Sequence, residues 1–347
     1  MYYLFLLPFV VLAIRTLISI YSSSLLDFSM YLSATNYFLS GHNPYLAITP
    51  QVYPPAFLYF MTLFAFIPIE YARVIYTSLS LVAFFLSLHL LLKRFSLKIQ
   101  VLISFIVFQL FPVKFALAQG QINFFVLLGF VLIYRFMIQK KDLLASLTLA
   151  IITIAKLNPI LLLFYFLVLK KYRLIIYCLV TLLFLNLAID LSTSHNLLLS
   201  FFQGTFFRTT NPPLDYYNQS LPALLSRLNL SSISNSVGVF FLSISTISFI
   251  KNYSQTKKFF TLFLLTILLI SPITWQHYLF WSIPAFFYLF LDSQKPPLIF
   301  IFLALLLINI NLKNPLPFGN VQLIYSHATI GLFLLYILVL KSKPKFS

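Results

Sequence analysis

The chain has 347 residues, of which 61% are hydrophobic and only 8% charged, and its mean hydropathy is +0.97. A soluble domain carries about 25% charged residues, so this composition excludes a water-soluble globular protein and predicts an integral membrane protein. The net charge of +17 does not indicate nucleic-acid binding, because the basic residues form short clusters between apolar segments and no basic stripe with interleaved aromatic residues occurs.

Apolar segments recur along the whole chain, and we predict an all-α polytopic membrane protein with a single transmembrane domain over residues 1–347. Basic clusters such as Lys93, Arg94 and Lys98 follow alternate segments, so by the positive-inside rule these clusters and both termini face the cytoplasm. A cleaved signal peptide is an alternative reading of the first segment, but the basic region that such peptides begin with is missing. The twelve predicted spans are 3–20, 72–92, 99–117, 121–138, 143–156, 158–169, 174–190, 236–250, 259–271, 278–291, 297–311 and 325–340.

The apolar stretch at 56–68 is not counted as a span. It lies between Pro54-Pro55 and Pro68 and is shorter than the roughly 17 residues that a crossing needs. Counting it would also move the preceding loop to the other side of the membrane. We therefore predict a juxtamembrane or re-entrant helix there, within a long outer segment over residues 21–71.

Polar residues concentrate in the predicted outer segments, where they indicate either function or internal packing. Asp27, just past the first span, is a candidate general base, with a helix N-cap as the alternative. The same segment contains further candidate sugar or acceptor contacts, namely Tyr31, Asn43, Tyr45 and Tyr53.

Two predicted outer junctions between spans carry amides and a cation. The amides of Gln119, Gln121 and Asn123 suit sugar hydroxyls, and hydrogen bonding between helices is the alternative. Lys156 departs from the positive-inside trend and therefore needs an anionic partner. A substrate phosphate would serve, and so would Asp27 or Asp190.

The second long outer segment, 191–235, is the most polar stretch of the chain. Loops of this length are usually binding loops or lids. Arg208 and Arg227 are candidate phosphate ligands, and Asn218 and Gln219 are candidate sugar contacts.

A later outer junction places Trp275 and His277 together. His277 can donate a hydrogen bond to a phosphate oxygen, and Trp275 can stack on a sugar ring or anchor the chain at the interface. Glu70 and Arg73, three residues apart, predict a surface ion pair on one helix. The sequence contains no metal-ligand spacing and no nucleotide-binding loop, so we expect no metal and no cofactor.

Taken in chain order, these motifs resemble glycosyltransferase family 87, the polyprenyl-phosphate-mannose-dependent mannosyltransferases of the GT-C superfamily. The resemblance rests on Asp27 after the first helix and on six further motifs, at 41–45, 53–55, 120–123, 156–159, 218–227 and 271–277. Residues 278–347 carry no such marker, and Gln276 stands before a single His277 where a second histidine is expected.

The resemblance implies a GT-C-type bundle of about 12 transmembrane helices, with juxtamembrane helices in the first outer loop and Asp27 as catalytic base. It implies transfer of a hexose, mannose by expectation, from a polyprenyl-phosphate-linked donor to a lipid or glycan acceptor on the non-cytoplasmic side of the cell membrane. One direct displacement would invert the anomeric centre. The alternative from a different class is a secondary transporter or lipid-linked sugar flippase, which predicts ionisable pairs near the bilayer midplane.

Overall fold

A computed structural model describes residues 2–47, 53–193, 196–206, 213–251, 256–294, 297–312 and 322–345. These residues are helical apart from turns and two isolated β-bridges, which confirms the all-α class. The chain divides into two compact units, residues 1–160 with 173–208 and residues 161–172 with 209–347.

The first unit is built from ten helices within its described residues. Its core joins α2 and α3, the two short helices of the first outer segment, to the long helix α4 through the aromatic side chains of Phe28, Phe57, Phe64 and Tyr76. Helix α7 packs between α4 and α8. The helices are α1 Tyr2–Tyr21, α2 Leu26–Leu39, α3 Pro55–Ala65, α4 Ile69–Leu92, α5 Leu97–Phe108, α6 Phe111–Gln119, α7 Asn123–Ile138, α8 Asp142–Ala155, α10 Tyr172–Ser192 and α11 Leu197–Phe201.

The second unit is organised around α14, whose residues 258–269 are all buried. Helix α14 packs against α13, α15 and α18, and α16 packs along α18. Gly331 allows that last approach, since a Cβ there would lie 3.0 Å from the Ala304 carbonyl oxygen. The helices are α9 Leu162–Val168, α12 Leu221–Arg227, α13 Ser234–Lys251, α14 Thr256–Ile270, α15 Ile283–Asp292, α16 Leu298–Asn309, α17 Gln322–Tyr325 and α18 His327–Lys341.

Each predicted span coincides with helical structure, and the one at 99–117 is broken by a sharp bend. The segment predicted at 99–117 consists of α5 and α6, which meet at an angle of 70°. The break lies just before Pro112, which has no backbone N–H to donate and is tolerated only in the first turn of α6.

Among the described residues, α4 and α10 are long and apolar enough to cross a membrane, and the bent pair α5–α6 would be a third crossing. Several other apolar helices have 10–17 residues and are shorter than the roughly 20 that cross about 30 Å of hydrocarbon. The chain is an all-helical membrane protein, and twelve crossings stay a prediction. Helix α3 has 11 residues, in agreement with the sequence-based exclusion of 56–68 as a span.

Candidate active site

Asp27 lies in the first turn of α2, and its side chain is half-buried. The N-cap of this helix is Leu25, so Asp27 does not act as the cap. Leu25 is buried and adopts a left-handed φ of 45°, which is unfavourable for a leucine and is held by the packing around it. The carboxylate is therefore presented at the start of a short helix by a strained residue.

Gln121 connects Asp27 to a buried lysine. Its side-chain nitrogen donates a hydrogen bond to Asp27 Oδ2, and its oxygen accepts one from Lys156 Nζ at 3.2 Å. The Gln121 oxygen also accepts from the Tyr31 hydroxyl at 3.3 Å. The amide thus links the carboxylate, the ammonium and a phenol in one hydrogen-bonded network.

Tyr53 completes this network. Lys156 Nζ donates to the Tyr53 hydroxyl at 3.1 Å and lies 5.3 Å from the centre of its ring. The hydroxyls of Tyr53 and Tyr31 are 3.0 Å apart. Because α8 ends at Ala155, Lys156 is in an extended conformation with only 5% of its surface exposed.

Burial raises the pKa of Asp27 above its ordinary value, and the positive charge of Lys156 and the hydrogen bond from Gln121 partly offset that rise. A carboxylate with a raised pKa is a stronger base when it is ionised. The burial of an ammonium without a compensating charge is costly, so Lys156 and Asp27 stabilise each other's charged forms. This arrangement can accept a proton in a partly dehydrated setting.

Gly120 allows Gln121 to reach Asp27. Gly120 ends α6 with a left-handed φ of +68°, and a Cβ on it would lie 2.7 Å from the Cβ of Phe28. Any larger residue would therefore push the α6–α7 turn away from α2. The close approach of these two backbones places the amide beside the carboxylate.

Two other candidates of the first outer segment are engaged within their own unit. Asn43 Oδ1 accepts from the Tyr45 backbone N–H at 3.0 Å, and Asn43 Nδ2 donates to Ser200 Oγ at 2.8 Å. The Tyr45 hydroxyl donates to the Tyr53 carbonyl at 2.7 Å. These contacts hold the loop that carries Tyr53 and give both side chains a structural role.

Gln119 and Asn123 flank the bridging amide. Gln119 is half-buried at the end of α6, and Asn123 is fully buried at the start of α7. Gln121, between them, donates a hydrogen bond to Asp27.

Asn218 and Gln219 lie in the second unit, where both side chains bond backbone groups. Asn218 Nδ2 donates to the carbonyls of Pro213 and Pro272, and Asn218 Oδ1 accepts from Thr274 N at 2.9 Å. Gln219 Nε2 donates to two carbonyls, and its oxygen accepts from Ala328 N at 3.2 Å. This geometry favours the structural alternative over sugar contacts.

Arg227 is held in the same way. Its guanidinium donates to the carbonyls of Asp215 and Asn218 at 2.5 and 2.7 Å and to Ser326 Oγ at 2.8 Å. Most of the guanidinium donors of Arg227 are therefore engaged within the second unit. Arg208, the other arginine predicted to bind phosphate, lies outside the described residues.

Trp275 and His277 also lie in the second unit. Trp275 is half-buried and pairs with Asn218 through an isolated β-bridge, directly before a 3₁₀ segment over residues 276–282. His277 is 7% exposed, and its ring centroid lies 4.9 Å from that of Tyr278. The predicted roles of His277 as a phosphate ligand and of Trp275 as a sugar contact stay predictions.

No sequence motif indicated Tyr76, and the ion pair predicted between Glu70 and Arg73 is wrong. The buried Tyr76 ring stacks on Phe28, next to Asp27, at 4.4 Å. Among the described contacts, Arg73 and Glu70 form no ion pair, and Arg73 instead donates to Ser29 Oγ at 3.3 Å. In the sequence, a tyrosine inside an apolar span cannot be distinguished from lipid-facing aromatic residues. The one signal for a role of Tyr76 at the site was its spacing of three residues from Arg73 on the same helix face.

Within the described ranges, no group of three His, Cys, Asp or Glu side chains could hold a metal ion. The bundle and the Asp27 network define an all-helical membrane protein with a half-buried carboxylate whose pKa is raised. Its sequence matches the model of Glycosyltransferase family 87 over residues 52–272. The chain therefore belongs to this family and is a membrane glycosyltransferase. Among curated proteins, no sequence matches this chain.

Proposed function

We propose that the protein transfers a hexose, with mannose as the expected sugar, from a polyprenyl-phosphate carrier to a hydroxyl of a lipid or glycan acceptor. The reaction would take place on the non-cytoplasmic face of the cell membrane, with both termini in the cytoplasm. The observation that carries this proposal is the Asp27–Gln121–Lys156 network, which lies on segments predicted to face outward. Family membership supports sugar transfer over the alternative of a transporter or flippase.

In the proposed reaction, Asp27 removes the proton of the acceptor hydroxyl as its oxygen attacks the anomeric carbon. The new carbon–oxygen bond forms while the bond from that carbon to the phosphate oxygen breaks, so the configuration inverts. The lipid phosphate leaves with the electron pair. Because phosphate is already a stabilised leaving group, the protein needs to supply a base and positive charge.

Lys156 is the cation best supported for the departing phosphate, because it is buried and electrostatically coupled to Asp27. As Asp27 becomes neutral on accepting the proton, Lys156 loses its compensating charge at the moment when the phosphate becomes more negative. The pairing of Lys156 would thus shift from the carboxylate to the phosphate during the reaction. His277 remains a second proposed phosphate ligand.

The test is Asp27→Asn in purified protein reconstituted with labelled polyprenyl-phosphate-mannose and a membrane-lipid extract. General-base catalysis contributes about 10²–10⁴-fold, so we expect transfer to fall by that factor while the fold is retained. The product should have the anomeric configuration opposite to that of the donor, and the same label supplied as a nucleotide sugar should give no product.

Asp190→Asn is the matched control, because Asp190 is another half-buried carboxylate of the same unit that caps Leu198 N at 3.0 Å. This control variant should transfer sugar at nearly the unmodified rate. Normal transfer by Asp27→Asn would show that Asp27 is not the base.

A further inference from the structure

One face of α4 carries a row of three polar residues that are buried or half-buried in the protein. Arg73, Tyr76 and Ser80 follow one another at spacings of three and four, which places them on the same side of the helix. Tyr76 and Ser80 are 1% and 2% exposed, and Arg73 is half-buried. This row extends about 10 Å along the helix axis at 1.5 Å per residue.

Each residue of this row has a buried donor without a hydrogen-bond partner among the described residues. The atoms are Arg73 Nε, the Tyr76 hydroxyl oxygen and Ser80 Oγ. A buried serine in a helix commonly donates to the carbonyl four residues earlier, as Ser87 does to Ala83 at 2.7 Å on the same helix. Unsatisfied buried groups are uncommon in folded proteins, so three on one face require an explanation.

The row starts at the candidate active site. The Tyr76 ring stacks on Phe28, and Arg73 donates through its Nη2 to Ser29 Oγ at 3.3 Å. Phe28 and Ser29 directly follow Asp27 in α2. The three donors thus continue the polar network of Asp27 into the helix bundle.

We propose that the face of α4 formed by Arg73, Tyr76 and Ser80 is a subsite for the sugar phosphate of the donor. Arg73 donates to a phosphate oxygen, and Tyr76 and Ser80 donate to hydroxyl oxygens of the sugar. Three unused donors match a ligand that is rich in acceptor oxygens, and a guanidinium matches the negative charge of a phosphate. This inference rests on the proposed function.

Binding can be measured without turnover in the Asp27→Asn background. The probe is a radiolabelled mannosyl phosphate ester of a short polyprenol, and its dissociation constant is measured by equilibrium binding to the reconstituted protein. Tyr76→Phe and Ser80→Ala should each weaken binding by about 3- to 10-fold, the effect of one lost hydrogen bond. Each change removes a hydroxyl without a partner in the described part of the chain, so the melting temperature should stay the same or rise.

The matched controls remove buried hydroxyls that do have partners. Ser87→Ala removes a bonded serine of the same helix, and Tyr336→Phe removes a tyrosine hydroxyl bonded to Ser245 at 2.8 Å in the second unit. Both controls should lower the melting temperature and leave probe binding unchanged.

The two possible failures are distinguishable. If the Asp27→Asn protein binds the probe and Tyr76→Phe and Ser80→Ala bind it equally well, the subsite does not exist and the donor assignment stands. If the Asp27→Asn protein does not bind the probe, the proposed donor is wrong, and the subsite is overturned with it.

Discussion

At the residue scale, the chemistry of Asp27 results from opposing electrostatic effects. Burial disfavours the charged carboxylate, while Lys156 and the amide of Gln121 favour it, and burial is the largest of the three contributions. The raised pKa makes ionised Asp27 a stronger base than a solvated aspartate, and the positive charge of Lys156 favours the ionised form. Neither effect alone would give a base that is both strong and charged.

The pH dependence of transfer should reveal this balance. Activity requires ionised Asp27, so kcat/KM should fall as the pH is lowered through the pKa of Asp27, above the value of about 3.9 of an ordinary aspartate. Lys156→Met removes a charge that lowers this pKa, so the acid limb should move to still higher pH. The measurement is a pH profile of kcat/KM for both proteins.

A buried lysine elsewhere provides the control for that profile. Lys258 is 6% exposed and donates to the Ser342 carbonyl at 2.8 Å in the second unit. Lys258→Met should leave the acid limb where it is. An acid limb that stays in place in Lys156→Met would contradict the electrostatic coupling of Lys156 to Asp27.

At the element scale, the α6–α7 turn controls how the amide meets the carboxylate. Gly120 in this turn adopts a positive φ, and it lies so close to Phe28 that there is no room for a Cβ. Helix α6 can begin where it does because Pro112 lies in its first turn, and the resulting bend redirects the chain toward α2. The position of Gln121 therefore depends on a break that an unbroken span would not provide.

Gly120→Ala should damage both stability and activity. Alanine in a left-handed conformation costs about 1–2 kcal/mol, and its Cβ would force the turn away from Phe28 and separate Gln121 from Asp27. We expect a lower melting temperature together with a loss of most transfer activity, measured on the same preparation.

Gly41→Ala separates these two effects. Gly41 also has a positive φ, +83°, but a Cβ there would meet nothing within 4 Å. Gly41→Ala should therefore lose a similar amount of stability and keep its activity. Equal losses of activity in the two variants would show that backbone strain, and not the approach to Phe28, decides the function of the turn.

At the scale of the whole molecule, the decisive question is which loops face outward. The first outer segment carries Asp27 and Tyr53, and its orientation depends on α3 not crossing the membrane. If α3 crossed, residues before and after it would lie on opposite sides. Residue 70 and the basic cluster around Lys93 and Lys98 lie at opposite ends of α4, so a crossing by α4 places them on opposite faces of the membrane.

Cysteine labelling in intact cells tests this topology. Cys178 is the single cysteine, so a Cys178→Ser background can receive one new cysteine at a time. Ser40→Cys and Glu70→Cys, both at exposed positions, should react with a membrane-impermeant maleimide. Ser96→Cys, exposed within the basic cluster, should react only after the membrane is permeabilised. Labelling of only one of positions 40 and 70 in intact cells would mean that α3 crosses.

The sequence by itself determined the class and the helical segments, and it predicted most of the candidates in segments expected to face outward. Hydrophobic segments, proline positions and charge clusters are local signals that act through the solvent, whether lipid or water, and so they can be read without knowing the tertiary contacts. Asp27, Gln121 and Lys156 stood out because polar groups are costly in an apolar chain.

Only the tertiary structure decided which of these polar groups work together. The network joins residues that are far apart in the chain. Gln121 contacts Asp27 across 94 positions, and Lys156 contacts Tyr53 across 103 positions. Asn218, Gln219 and Arg227 look equally suitable in the sequence, but they bond backbone carbonyls and amides of their own unit. A side chain's hydrogen-bonding capacity is a property of its type, whereas the partner that uses this capacity depends on which distant backbone the fold brings to it.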